Sequence, residues 1–222
     1  MKYSELNIFK ENGQKITCLT AYDASMAKLI DTAGVDIVLI GDSLGMVIKG
    51  AENTRSVSMK DMIYHTEIVA KACKQALVIA DMPFHSYENS KTALANAKEL
   101  INNGANMVKI EGGSENIGVI KALVSDGITV CGHLGLQPQL VVDSSGYKVQ
   151  GRDKYSAQTI LDNAKLLDSL GVSILVLECV PSDLAKSITN TIKIPTIGIG
   201  AGKECDGQVL VSYDMLGISL GK

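Results

Sequence analysis

Residues 104–113 read Gly-Ala-Asn-Met-Val-Lys-Ile-Glu-Gly-Gly. A short apolar run, interrupted by one lysine, lies there between a glycine and a glutamate. Runs of this length without regular polar alternation are typical of strands in parallel sheets, which are covered on both faces. Eight such runs follow one another along the chain and predict eight strands: Ile16–Thr20, Ile37–Ile40, Leu77–Ala80, Met107–Ile110, Ile128–Cys131, Ile174–Leu177, Thr196–Ile199 and Val209–Val211.

Amphipathic segments, with apolar residues three and four positions apart, alternate with these runs. They predict helices at Ala24–Thr32, Ser58–Lys71, Ser90–Asn102, Glu115–Ser125, Ser156–Leu170 and Ser182–Thr191. Ser58 and Asp61 resemble a capping box at the start of one helix. Glycines of the kind that end a helix in the left-handed conformation follow four of them: Gly34, Gly104, Gly127 and Gly171.

Strands and helices alternate without a linker or low-complexity tract. This order predicts one α/β domain over residues 1–222, folded as a (β/α)8 TIM barrel rather than as an open sheet. The chain ends soon after the eighth strand, so we expect the barrel to lack a C-terminal helix. Val209, Val211 and the Leu216–Leu220 stretch are then expected on an uncovered outer face.

The composition excludes several classes of protein. The 222 residues include 21 Lys and Arg against 24 Asp and Glu, for a formal net charge of -3. No basic run could neutralise a phosphate backbone, so we expect no nucleic-acid partner. No apolar run is long enough to span a bilayer, so we expect no membrane partner either. Five widely spaced cysteines without a Cys-x-x-Cys pair indicate a reducing, cytoplasmic location.

Ionisable residues stand at the carboxyl ends of five successive predicted strands, the second to the sixth. In a parallel barrel these ends form the active-site face. A single Asp after a strand is often only a helix cap, but the succession indicates a site. Its members are Asp42, Asp81, Lys109 with Glu111, His133 and Glu178.

Four of these side chains are carboxylates, which repel one another unless a cation lies among them. The strand ends offer oxygen ligands and no cluster of cysteines and histidines. Mg²⁺ binds to one or two carboxylates and completes its coordination shell with substrate and water. The pattern therefore predicts a site for magnesium or a similar ion.

Two further residues allow more than one interpretation. Lys109 lies two residues from Glu111 and faces the same side of the strand. It could neutralise the acids, anchor an anionic substrate or form a Schiff base, and the neighbouring acids and metal favour the anchor. His133 lies between two glycines, in a segment that we interpret as a turn, and it is either structural or a hydrogen-bonding partner of the substrate.

Nine blocks of sequence, in order along nearly the whole chain, resemble the ketopantoate hydroxymethyltransferase family. They are IGDSLGM at 40–46, MIYHT at 62–66, ADMPF at 80–84, GANMVKIEGG at 104–113, CGHLGL at 131–136, YKVQGR at 147–152, LECVP at 177–181, IGIGAG at 197–202 and CDGQVLV at 205–211.

The resemblance implies a barrel of the phosphoenolpyruvate/pyruvate superfamily type that assembles as a homodecamer. It implies a Mg²⁺-dependent transfer of a hydroxymethyl group from methylene-tetrahydrofolate to 3-methyl-2-oxobutanoate, through a metal-stabilised enolate. The product is 2-dehydropantoate, on the route to pantothenate and coenzyme A. We interpret the loop from Leu136 to Tyr155, which carries Lys148 and Arg152, as a lid, as a contact for the folate tail, or as a solvated loop.

The resemblance also implies roles for individual residues. It places the metal on three carboxylates, those of Asp42, Asp81 and Glu111. It assigns substrate binding to Asp42, Ser43, Asp81 and Lys109, to which we add His133 because of its position at a strand end. It assigns the role of general base to Glu178.

Two other functions stay open. Lyases and mutases of the same superfamily share this layout of metal and acids and act on 2-oxo acids, but a folate requirement separates them from the transferase. A catalytically impaired relative that only assembles is the other alternative, and Mg²⁺-dependent proton exchange with the substrate would argue against it. Chains of the family continue beyond the position of Lys222. We therefore expect this chain to be folded but less stable and less active than an extended one.

Overall fold

Eight parallel strands close into a barrel in the order in which they occur along the chain. The computed structural model describes residues 3–219. The strands are β1 (Ile16–Thr20), β2 (Ile37–Ile40), β3 (Leu77–Asp81), β4 (Met107–Glu111), β5 (Val130–Gly135), β6 (Ile174–Glu178), β7 (Thr196–Ile199) and β8 (Gly207–Leu210). The predicted (β/α)8 fold is thereby confirmed.

Helices lie between the strands, and each helix that the sequence predicts is present. The helices are α1 (Tyr3–Glu11), α2 (Ala24–Thr32), α3 (Leu44–Val47), α4 (Met59–Ala72), α5 (Ser90–Asn102), α6 (Ile117–Ser125), α7 (Lys154–Ser169), α8 (Ser182–Thr191) and α9 (Ser212–Met215). Helix α4 begins with the predicted capping box. The backbone N–H of Asp61 donates to Ser58 Oγ at 3.2 Å, and the backbone N–H of Ser58 donates to Asp61 Oδ2 at 2.8 Å. None of the helices within residues 3–219 is long and apolar enough to cross a membrane.

Helix α1 is absent from the sequence-based prediction, because its residues are mostly polar and of mixed charge. One apolar side chain, that of Leu6, is fully buried against the apolar interior of the barrel. Lys10 Nζ donates to the carbonyl oxygens of Thr189 and Ile194 and pairs with Asp206 at 3.0 Å. The helix is therefore attached by long-range contacts, and its apolar pair at helical spacing, Leu6 and Phe9, is too short a pattern to predict it.

Alternate residues of each strand point into the barrel. Near the amino ends these residues are apolar and form one cluster inside the barrel: Ile16, Cys18, Ile37, Leu39, Leu77, Ile79, Met107, Cys131, Ile174, Val176, Ile197 and Val209. The same faces continue with polar residues toward the carboxyl ends. Asp81 follows Leu77 and Ile79 on β3, and Lys109 and Glu111 follow Met107 on β4. A polar layer thus lies directly on an apolar one.

The end of the chain differs from the prediction. The four-residue helix α9 follows β8, although the sequence predicts no helix there. Val209 is buried inside the barrel and Val211 lines the cavity above it, so the prediction that both lie on an uncovered outer face is wrong. The burial of β8 alternates, and the outward residue is Leu210, which is 47% exposed. Leu220 lies outside the described residues.

Strand β5 extends beyond the predicted Ile128–Cys131 and contains His133 in its interior. The interpretation of His133 as part of a turn is therefore wrong. Gly132 marks close packing rather than a turn, because a Cβ atom there would lie 3.0 Å from Leu167 Cδ1 of helix α7.

The glycines that follow α2, α5, α6 and α7 adopt the left-handed backbone predicted for them, with φ between 79° and 104°. Two of them, Gly104 and Gly127, differ in their surroundings. A Cβ atom on Gly104 would lie 2.5 Å from Ala70 Cβ of helix α4, whereas one on Gly127 would meet no atom within 4 Å. Helix α4 therefore packs closely against the end of α5.

This difference predicts unequal costs for the same substitution. Alanine at either position must adopt a left-handed backbone, at a cost of about 1–2 kcal/mol. Only Gly104→Ala adds a steric clash, so we expect it to lower the free energy of unfolding by about 1–3 kcal/mol more than Gly127→Ala. Urea denaturation of the two variants measures the difference. Equal losses would contradict the close packing at Gly104.

Candidate active site

A cavity of about 730 Å³ opens at the carboxyl ends of the strands. It brings together every site residue that the sequence predicts: Asp42, Ser43, Asp81, Lys109, Glu111, His133 and Glu178. The volume falls in the range of pockets that hold drug-sized ligands, roughly 300–1,000 Å³, and therefore leaves room beside a small 2-oxo acid.

Lys109 provides the positive charge at the centre of this cavity. Strands β3 and β4 pair Asp81 with Lys109, and Lys109 Nζ lies 2.7 Å from Asp81 Oδ1. Burial opposes the charged ammonium, but the charges of Asp81, Glu111 and Asp42 outweigh burial and raise the pKa of Lys109 above its ordinary value. Lys109 is therefore a buried cation.

Asp42 follows β2 and belongs to the same charged cluster. Its backbone N–H donates to Asp81 Oδ2 at 3.0 Å, and its own Oδ2 accepts from Gln139 Nε2 at 2.8 Å. Burial and the negative charges of Asp81 and Glu111 raise the pKa of Asp42 well above its ordinary value. Helix α3, the next element, has Ser43 as its N-terminal cap residue. The side-chain contact of Asp42 therefore lies within the cavity rather than at a helix terminus.

His133 lies between two carboxylates. Its Nδ1 is 3.4 Å from Glu111 Oε1, and its Nε2 is 3.2 Å from Glu178 Oε2. Burial and the charge of Lys109 oppose protonation of the ring, but the contacts with Glu111 and Glu178 outweigh them and raise the pKa of His133 to about 9. The imidazole is therefore a second cation at neutral pH. It also holds the pKa of Glu111 below its ordinary value, although burial acts in the opposite direction.

Ser43 is held by Tyr22, a residue that the sequence analysis does not identify. The Tyr22 hydroxyl lies 2.8 Å from Ser43 Oγ, and burial raises the pKa of Tyr22 to about 12. His65 Nδ1 lies 2.6 Å from the Tyr22 carbonyl oxygen. The position of Tyr22 just after β1, at the same end as the other site residues, is the signal that could identify it.

Gln139 is the second site residue that the sequence analysis does not identify. It lies in the loop from Leu136 to Tyr155, where a short 3₁₀ turn, Pro138–Leu140, folds inward and buries it. Its backbone N–H donates to Glu111 Oε2 at 3.1 Å, and its side chain donates to Asp42. Pro138 at the start of the turn is the one local feature that marks the position. Gln139 is thus buried in the site, whereas its neighbour Leu140 is 63% exposed.

The charges of the site fit a divalent cation. The carboxyl groups of Asp42, Asp81, Glu111 and Glu178 outnumber the two basic side chains beside them, those of Lys109 and His133. The acids offer oxygen donors, which Mg²⁺ prefers. Within residues 3–219, no three His, Cys, Asp or Glu side chains form a metal-binding group by themselves. The residues therefore fit an ion that is held by one or two carboxylates and completed by substrate and water.

Comparison with known proteins identifies relatives over the whole sequence. The family model described as ketopantoate hydroxymethyltransferase matches residues 1–222. A 3-methyl-2-oxobutanoate hydroxymethyltransferase from Ruthia magnifica subsp. Calyptogena magnifica is 59% identical over 100% of this chain and 85% of its own length. The enzyme of the same name from Thermoanaerobacter sp. (strain X514) is 54% identical over 97% of this chain and 80% of its own length.

Solved structures share the fold at low sequence identity. A putative phosphonomutase from Burkholderia cenocepacia J2315 has a TM-score of 0.76 at 14% identity and covers 97% of this chain and 94% of its own. Phosphonopyruvate hydrolase, solved with oxalate and Mg²⁺, has a TM-score of 0.73 at 13% identity. The match covers 98% of this chain and 83% of the hydrolase. 2,3-Dimethylmalate lyase, of the PEP mutase/isocitrate lyase superfamily, has a TM-score of 0.70 at 15% identity. The match covers 97% of this chain and 82% of the lyase. The likeness shows that this chain shares the barrel fold of these proteins.

The buried ion pair predicts a large effect on stability. Removing the charge of Lys109 leaves buried acids without their partner, which typically costs about 3–5 kcal/mol. Lys49 is a matched control, because it pairs with Asp61 at 2.9 Å on the surface, where such a pair contributes about 0–1 kcal/mol. We expect Lys109→Met to lower the free energy of unfolding by several kcal/mol more than Lys49→Met. Urea denaturation without divalent cations measures both, and similar losses would contradict the buried cation.

Proposed function

The chain belongs to the ketopantoate hydroxymethyltransferase family, and we propose that its cavity carries out the family's reaction with Mg²⁺ and with Glu178 as the general base. The reaction transfers a hydroxymethyl group from methylene-tetrahydrofolate to 3-methyl-2-oxobutanoate and gives 2-dehydropantoate. One observation carries the proposal: buried carboxylates converge on Lys109 at the mouth of a barrel whose sequence matches the family over residues 1–222.

Asp42 and Asp81 would hold the magnesium ion, with Glu111 as the third carboxylate beside them. The excess of carboxyl groups over basic side chains and the oxygen donors of the cluster support this assignment. When bound, the ion supplies Lewis acidity, which draws charge from the substrate carbonyl and makes the proton on the adjacent carbon easier to remove.

Lys109 acts as an electrostatic anchor rather than as a Schiff-base nucleophile. A Schiff base forms from the neutral amine, whereas the acids around Lys109 keep its ammonium charged. A fixed ammonium next to the keto oxygen stabilises the negative charge that develops there as the proton leaves. The rigid pairing of Lys109 with Asp81 across β3 and β4 keeps this charge in place.

Ser43 orients the carboxylate of the 2-oxo acid. Its hydroxyl group lies 2.8 Å from the Tyr22 hydroxyl. When Tyr22 donates in this contact, the Ser43 proton is free to point into the cavity toward an acceptor. A substrate carboxylate is such an acceptor, and a hydrogen bond to a charged group is worth more than one to a neutral group.

Glu178 removes the proton from the third carbon of the substrate. Its side chain is 20% exposed to the cavity, whereas those of Asp81 and Glu111 are nearly inaccessible. Asp42 and Asp81 are assigned to the metal, which leaves Glu178 to reach the substrate. His133 Nε2 lies 3.2 Å from Glu178 Oε2, so a protonated imidazole would attract this carboxylate.

The volume of the cavity leaves space for the one-carbon unit of the folate. The likeness to superfamily lyases and mutases concerns the fold alone, and a folate requirement for product formation separates them from the proposed transferase. Homodecameric assembly and a cytoplasmic location stay predictions.

Assay of the purified chain with 3-methyl-2-oxobutanoate and methylene-tetrahydrofolate tests the function. We expect 2-dehydropantoate only when both the folate and Mg²⁺ are present. In D₂O without folate, we expect Mg²⁺-dependent deuterium incorporation at the third carbon. Glu178→Gln should reduce this exchange by on the order of a hundredfold or more, because it removes a positioned base. Binding of the substrate with Mg²⁺, measured by calorimetry, should persist in that variant.

Glu204→Gln is the matched control, since Glu204 is a surface residue that approaches Lys186 at 4.0 Å. It should exchange deuterium at the rate of the unmodified chain. Exchange at that rate in Glu178→Gln would move the base to another residue. Deuterium exchange without any 2-dehydropantoate when the folate is supplied would favour a lyase or mutase instead.

A further inference from the structure

Gln139 makes more contacts with the acids of the cavity than its place in a long loop indicates. We propose that Gln139 is a positioning residue that orients the Asp42 and Glu111 carboxylates for a divalent cation. The inference rests on the proposed function, because it takes these acids to belong to the metal site. It adds to that site a residue that neither the sequence analysis nor the comparisons assign.

The hydrogen bonds of Gln139 reach both acids. Nε2 donates to Asp42 Oδ2 at 2.8 Å and to the Met82 carbonyl oxygen at 3.0 Å. The backbone N–H of Gln139 donates to Glu111 Oε2 at 3.1 Å. The residue is 2% exposed, so water does not compete for these bonds. One oxygen of each carboxylate is thus fixed by the same residue, which restricts the directions in which the other oxygens can point.

The orientation of the Gln139 amide follows from its partners. The carbonyl oxygen of Met82 only accepts hydrogen bonds, so the NH₂ group must face it and the Asp42 oxygen beside it. On the other side, the Tyr87 hydroxyl donates to Gln139 Oε1 at 2.6 Å. A flipped amide would place its oxygen against the Met82 carbonyl oxygen and would lose the hydrogen bond that Oε1 accepts from Tyr87. Met82 and Tyr87 together therefore stabilise the orientation in which Gln139 donates to Asp42.

The backbone of Gln139 is held as firmly as its side chain. Its carbonyl oxygen accepts from Arg55 Nη1 at 3.1 Å. The Arg55 guanidinium lies over the Phe84 ring, 4.0 Å from the ring centroid. Residues from the loops after β2 and β3 thus clamp the turn that carries Gln139. This support explains how a loop residue can hold two strand-end acids in fixed positions.

Groups that orient metal ligands have a measurable effect on the metal. Their removal typically weakens metal affinity or activity by 10- to 100-fold. A residue that only fills space would instead alter thermal stability without a specific effect on metal binding. Metal affinity is therefore the readout that separates the two roles.

Titration with Mn²⁺ in the presence of 3-methyl-2-oxobutanoate, followed by electron paramagnetic resonance of the free ion, tests the inference in the full chain. We expect Gln139→Met to raise the Mn²⁺ dissociation constant by about 10- to 100-fold. Gln150→Met is the matched control in the same loop, because Gln150 Nε2 donates to the Lys148 carbonyl and touches none of the acids. It should bind Mn²⁺ as the unmodified chain does.

Tyr87→Phe is a second test that does not depend on the folding of Gln139→Met. It retains the ring and removes the hydroxyl group that donates to Gln139 Oε1. We expect a smaller loss of Mn²⁺ affinity than in Gln139→Met, with the thermal midpoint nearly unchanged. Unchanged Mn²⁺ affinity in Gln139→Met or in Tyr87→Phe, in a chain that binds Mn²⁺ and forms product, would overturn the inference and leave the proposed function intact. A chain that binds no Mn²⁺ before substitution would overturn both.

Discussion

The buried ion pair between Lys109 and Asp81 is the interaction on which the site depends. It places a cation, at 2.7 Å from its partner, in a cavity whose other charged lining residues are mostly acidic. Burial alone would neutralise the lysine, and the acids alone would repel one another. Each is tolerated because the other is present, and the acids that remain are the basis of the proposed divalent-cation site.

The barrel makes this arrangement possible through strand alternation. The residues that point inward are apolar near the amino ends, and they form a dry layer beneath the charges. The pairing of Asp81 with Lys109 and of Glu111 with His133 in neighbouring strands fixes the order of charges around the mouth. Glu178 differs from these four residues because its side chain stays partly exposed, which suits the general base that we propose it to be.

Strand alternation also explains what the sequence could predict. Asp42, Asp81, Glu111 and Glu178 lie at or just after the ends of apolar runs, and Lys109 lies within one. Their convergence therefore follows from the barrel fold. Gln139 and Tyr22 occupy loops, where tertiary contacts rather than any periodic pattern decide which side chains turn inward. Val209 was assigned to the wrong face because Val209, Leu210 and Val211 are all apolar, and such a run does not show which residues point inward. Helix α1 is not predicted from the sequence because it is held to the barrel by long-range contacts through Leu6 and Lys10.

The central claim is that the acids need a divalent cation which the substrate completes. The most direct measurement is the thermal midpoint of the chain with 3-methyl-2-oxobutanoate present, in MgCl₂ and in NaCl of equal ionic strength. At a Mg²⁺ concentration ten times its dissociation constant, specific binding stabilises the folded state by about 1.4 kcal/mol. For a chain of this size that corresponds to a rise of about 3–6 °C. We predict such a rise in MgCl₂ and none in NaCl. Equal midpoints in the two salts would contradict the claim.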